Sequence, residues 1–292
     1  MPDPLTVTVA HDAAATIGEG PVWDARGQRL IWVDIAEREV HRFDPVTGTD
    51  AVTAVPGMPG IAVPRAQGGL VLAIDHGFGF LDDEGRFESI TQMPQGPIPV
   101  RFNDGRCDAA GRFWAGTTGF NAEPGSAALY RLDPDLTVTT MLDGLAESNG
   151  IDWSPDDRLM YYIDSVEGRV DVFDFDVDRG TLANRRPFVA VDEGEAVPDG
   201  LTVDAEGHIW VALWGGAVVH RYAPDGSRAG TVALPTPHVT CPAFAGPALD
   251  QMFITSAREG LTDAQLAADP TAGALFACAP GVTGRPPHLF AG

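Results

Sequence analysis

Short apolar runs recur along the chain, each fenced by glycine, proline, aspartate or asparagine. Three align directly: DARGQRLIWVD from Asp24, DAAGRFWAG from Asp108 and DAEGHIWVA from Asp204. Each is a D-A-x-G turn leading into an apolar run that carries Trp32, Trp114 or Trp210. Weaker copies begin at Arg65 (RAQGGLVLAID), Ser154 (SPDDRLMYYID) and Gly246 (GPALDQMFITS). Successive starts lie 41, 43, 46, 50 and 42 residues apart, the period of a four-stranded propeller blade. Between them, EVHRFDP, AALYRLDP, RVDVFDFD and VVHRYAPDG alternate as strands do. The best helical signal is LTDAQLAADP near Leu261. The pattern predicts an all-β fold: a six-bladed β-propeller over residues 1–292 as one domain, with the first strand, around LTVTVAH, pairing with the last blade to close the ring.

Counting back five residues from each start gives Glu19, Gly60, Asn103, Asn149, Asp199 and Cys241. Four of the six carry a side-chain oxygen. In a propeller this register is expected on the loop entering the innermost strand, at one mouth of the central channel, where equivalent positions converge. N-D-G, S-N-G and P-D-G are also ordinary turn sequences, but glutamate has no turn role, so Glu19 shifts the balance towards a site. Oxygen donors of this kind suit one divalent cation: calcium, manganese or magnesium by preference, with zinc or ferrous iron also accommodated.

Composition narrows the chemistry. Lysine plus arginine number 19 against 41 aspartate plus glutamate, a formal charge of −22, which argues against nucleic acid and anionic membranes as partners. The chain contains no lysine, which removes Schiff-base and P-loop chemistry. Cys107, Cys241 and Cys278 are an odd set without C-x-x-C spacing, and no signal-like or membrane-length apolar run occurs, so a soluble cytoplasmic protein is expected, a monomer or weak homo-oligomer. No G-x-S-x-G or H-E-x-x-H is present, although His76, His208 and His238 stay open as pocket residues. The calcium-loop look-alike DFDVDRG lacks the sixth-position glycine and has Arg185 where the bidentate glutamate belongs.

IGEGPVWD, RFNDGRCDAAGRFWAGT, SNGIDWSPD, PDGLTVDAEGHIWVALW and VTCPAFAG, in this order, resemble the senescence marker protein 30 family, which includes regucalcin, gluconolactonases and other sugar lactonases. The resemblance runs over nearly the whole chain. It implies a six-bladed propeller with one divalent metal held by Glu19, Asn149 and Asp199, and a sugar contacted by Arg101 and Asn103. Members resembling regucalcin continue the AGT of the third blade with methionine, alanine and two glutamates. Here the run is AGTTGFNAE, which puts Asn121 where the substrate-facing glutamate stands.

The implied activity is hydrolysis of a sugar lactone such as a xylono-, arabino- or gluconolactone. A divalent ion would polarise the carbonyl, Asp199 would serve as general base, and Arg101 would orient the substrate with its two-pronged guanidinium. Two alternatives share the fold: a calcium-binding or regulatory propeller without catalysis, and an organophosphate or aromatic-ester hydrolase. Asp104 is open between a supporting role beside the site and a simple turn.

Overall fold

In the computed structural model, which describes residues 5–191, 194 and 196–292, the chain forms six four-stranded antiparallel sheets. Residues 1–4 of the expected 1–292 span lie outside the described residues. Five blades are meanders contiguous in sequence, over 18–54, 59–92, 100–145, 148–190 and 197–233. The sixth takes three strands from 239–278 and its outer edge from Thr8–His11, which pairs with Leu275–Cys278 and sets Thr8 opposite Ala277. The first strand therefore closes the ring on the last blade, as expected, and covers an edge that would otherwise be open. The innermost strands, Gly18–Asp24, Pro59–Pro64, Val100–Cys107, Ser148–Trp153, Val197–Val203 and Val239–Ala245, each contact the next around a closed cycle. None of the described helices is long and apolar enough to cross a membrane; LTDAQLAADP forms the helix Asp263–Ala268, opened by a Thr262 and Gln265 capping box.

The D-A-x-G motif turns the innermost strand into the second strand, where the tryptophans lie. Its aspartate organises both halves. Asp108 accepts from the backbone N–H groups of Ala110 and Arg112 and, 2.8 Å away, from the Trp114 indole. Asp204 repeats this with Glu206, His208 and Trp210. Gly111 and Gly207 sit at φ of 75° and 83°, where a side chain would strain the turn. In blade 1 the turn is two residues longer, and the Trp32 indole N–H finds no partner, its ring stacking instead on His41 at 3.7 Å.

One expectation is corrected. The register of Glu19, Asn103, Asn149 and Asp199 lies within the innermost strands and not on loops leading into them. All six innermost strands break their pairing register at or beside this point. A bulge of this kind bends the strand and frees a residue from the ladder, which is how polar and glycine residues that look like turns fit inside a strand.

At the opposite end of the ring, residues 283–292 run across the turns as a strap. Gly284 N–H donates to Leu249 O, Arg285 reaches Trp153 O and Ser154 O, and Phe290 N–H donates to Pro64 O. The Phe290 ring is fully buried in the core formed with Val63, Phe102 and Phe113.

Candidate active site

At the mouth away from the strap, the innermost strands surround a cavity of about 230 Å³. Because side chains two apart on an extended chain share a face, four innermost strands and the extended residues just before two of them contribute pairs: Ile17 with Glu19, Arg101 with Asn103, Glu147 with Asn149, and Val197 with Asp199. The ends of second strands and the loops just beyond add Ser165, Trp214 and Glu259. The remaining two register positions close the wall: a Cβ on Gly60 would lie 2.5 Å from the Phe102 carbonyl carbon, and Cys241 is buried.

Glu19, Asn149 and Asp199 are all buried. Asn149 Nδ2 donates to Ser165 Oγ at 2.9 Å, and Ser165 Oγ donates onward to Pro198 O at 2.7 Å. Since the hydroxyl proton is committed to Pro198, the amide must present its nitrogen to Ser165. Asn149 Oδ1 is then a buried acceptor without a hydrogen-bond partner, an arrangement that costs stability unless something fills it. Glu19 Oε2 accepts from Gly20 N–H at 2.8 Å. Burial pushes both Glu19 and Asp199 well above the usual carboxylate range; Asp104 adds to the shift of the first, and Glu19, Glu147 and Asp104 to that of the second. A buried orphan oxygen flanked by two carboxylates whose charge is poorly compensated fits a hard divalent cation.

The amide of Asn103 is engaged at both ends. Its Oδ1 accepts from Arg101 Nη1 at 2.7 Å, and its Nδ2 donates to Ser148 O at 3.0 Å. It therefore braces the Arg101 guanidinium, which also donates to Phe102 O. Burial lowers the pKa of Arg101, opposed by Glu259, Glu147, Glu19 and Asp199 in that order. Glu147 and Glu259 were not foreseen. The signal for Glu147 was available, because it stands two residues before Asn149 on the same strand face.

Asn121 does not line this cavity: it is exposed on the loop after Gly119 and donates to Glu123 Oε1 at 3.0 Å. His76 and His208 do not line it either. His208 belongs instead to a group with Asp204 and Glu206 whose ligand atoms lie within 4.8 Å of one another. There Arg221 Nη2 already donates to Asp204 Oδ2 and Glu206 Oε2, at 2.7 Å each.

Beneath the cavity, Arg106 spans the channel. Its Nη1 donates to Asp152 Oδ2 at 2.8 Å and Thr202 Oγ1 at 3.2 Å, and its Nη2 donates to Leu201 O at 3.3 Å. Asp104 lies on the same strand, two residues before Arg106, with Oδ1 accepting from Gly105 N–H. Burial pushes its carboxyl up to about 6 against the pull of Arg106. Asp104 is thus a buried carboxyl under the influence of Arg106 and Asp152 as well as an acceptor for the N–H of its neighbour within the strand.

The fold recurs in known proteins. The chain is 39% identical over 281 residues to regucalcin from Danio rerio, covering 94% of this chain and 95% of that one. It is 38% identical over 288 residues to the pentonolactonase XacC of Haloferax volcanii, covering 97% of each. The crystal structure of a calcium-binding protein, regucalcin, from Agrobacterium tumefaciens superposes with a TM-score of 0.94 at 31% identity, covering 98% of both chains. The family model for the SMP-30/gluconolactonase/LRE-like region matches residues 17–258, which takes in every wall of the cavity except Glu259, and the chain belongs to that family.

Proposed function

We propose that this lactonase opens a sugar lactone, an aldonolactone such as xylono-, arabino- or gluconolactone, to its aldonic acid with the help of one divalent cation held by Glu19, Asn149 and Asp199. The observation that carries the reading is Asn149 Oδ1, a fixed, buried and unpartnered oxygen beside two carboxylates that burial disfavours as charges. The relative named a pentonolactonase, matched over 97% of each chain, supports the substrate class. When bound, the cation supplies Lewis-acid polarisation of the lactone carbonyl.

The protein's own groups account for the rest. Asp199, whose carboxylate lines the cavity, takes a proton from the attacking water. Arg101 can donate in parallel to hydroxyl or ring oxygens, and Asn103 holds it in place, so the lactone enters already oriented. Burial of the strand walls limits competing water.

The test is a panel of freshly prepared aldonolactones, assayed with EDTA-treated protein refilled by calcium, manganese, zinc or ferrous iron, with spontaneous opening subtracted. Turnover should vanish on chelation and return with at least one ion. Full turnover after chelation would remove the cation from the reaction, and failure of every refilled form on every lactone would remove the substrate class.

A further inference from the structure

Among the described residues, which include all six tryptophans, Trp23, Trp32, Trp114, Trp153 and Trp210 are buried, while Trp214 is half-buried and lines the cavity. The other five fill the core. Trp214 instead ends the second strand of blade 5, and one of its faces is already covered: the His238 imidazole stacks on it with ring centroids 4.1 Å apart and planes 13° from parallel. The two residues also form a backbone bridge, and His238 O accepts from Ala257 N–H at 3.0 Å. The indole is therefore clamped from behind by a ring that is itself fixed to blade 6.

We propose that Trp214 is the stacking platform of the site, packing its open face against the C–H face of the sugar ring while Arg101 holds the hydroxyl edge. The idea rests on the sugar-lactone reading above. The walls of the cavity are chemically uneven. Blades 3 and 4 present Arg101, Asn103, Glu147 and Asn149, all polar, whereas the blade 5 wall presents Val197 and Trp214 above Asp199. A lactone of an aldose is amphipathic in the same way, with hydroxyls at its edge and weakly positive C–H groups on its faces. Those groups suit the negative face of an aromatic ring. The platform favours lactones that leave one ring face free of axial hydroxyls. Trp214 touches no reacting atom, so it is a positioning residue, and its removal should weaken binding more than turnover.

The experiment combines kinetics with fluorescence on the full chain. In Trp214→Ala, KM for D-glucono-1,5-lactone should rise about tenfold while kcat stays within about threefold of the parent, and Trp214→Phe should recover most of the loss. Independently, D-glucono-1,5-lactam, which is not opened, should shield the parent protein from acrylamide quenching of its one accessible tryptophan. It should have no effect on the already weak quenching of Trp214→Phe. An unchanged KM in Trp214→Ala, equal losses in kcat and KM, or a lactam that leaves quenching untouched would each overturn the platform. If the parent opened no aldonolactone, the sugar-lactone reading would fall, and the lactam result would still decide whether Trp214 meets a sugar ring.

Discussion

The two halves of the central channel are built from the same six strands yet treat charge in opposite ways. Below, Arg106 is met by Asp152, Thr202 and a carbonyl, and the strap covers the turns outside. Above, Glu19, Asp199, Glu147 and Glu259 surround one guanidinium, and Asn149 Oδ1 has no partner. Arg106 is satisfied within the chain, whereas the upper half leaves a buried acceptor without a partner. A ring of near-identical blades can therefore devote one end to cohesion and the other to chemistry, with a bulge in each innermost strand marking the border.

Substitutions should separate the halves by sign as well as size. Asp199→Asn should cut lactone hydrolysis by at least about 10³-fold, yet leave the cation-free protein as stable as before or more so, because it removes a poorly compensated buried charge; steady-state kinetics and a chelated thermal melt check both. Near-normal turnover in that variant would end the general-base assignment. Arg106→Met should do the reverse. Leaving Asp152 without its cation should cost about 3–5 kcal/mol in urea unfolding, with kcat changed far less than in Asp199→Asn.

Phe290→Ala should cost about 3–5 kcal/mol, since the ring is fully buried in the core; a loss below about 1 kcal/mol would show that the strap covers the core without contributing to it.

Acidity is shared by the cavity and the layer just beneath it. Glu19, Asp104 and Asp199 hold their protons more tightly when folded than when unfolded. In the cation-free protein their contribution is fully present below the unfolded value of about 4 and is lost as pH rises through the folded values. Urea midpoints of chelated protein should therefore fall between about pH 5 and 7, and a saturating cation should flatten that slope. A chelated profile that is flat or rising there would contradict the picture. The smallest effect is expected outside the cavity: Asn121→Ala should leave kcat/KM within about twofold, whereas a larger loss would show that the loop after Gly119 reaches the substrate.

Much of this was legible in the sequence. The D-A-x-G spacing carried the blade count because the turn aspartate bonds both its own turn and the indole six residues on. The common offset carried Glu19, Asn103, Asn149 and Asp199 because a repeat places equal offsets at equal heights. What was not legible depended on departures from simple repetition. A bulge is invisible when its residues also read as turns, so the register looked like a loop. Glu147 lay one strand step from a named residue, and the period of two would have found it. Trp214 and Glu259 enter from second strands of neighbouring blades, with no shared offset to mark them. The strap, lying outside the repeats, had no signal short of Phe290 itself.

The pairing of Thr8 with Ala277, 269 positions later, sets a schedule as well as an edge. A ribosome adding roughly 5–20 residues each second takes about 15–50 s to cover that interval. During it, the first strand emerges, waits unpaired while five blades are made, and docks only once the sixth has left the exit tunnel. Its sequence must therefore tolerate exposure as well as form a strand.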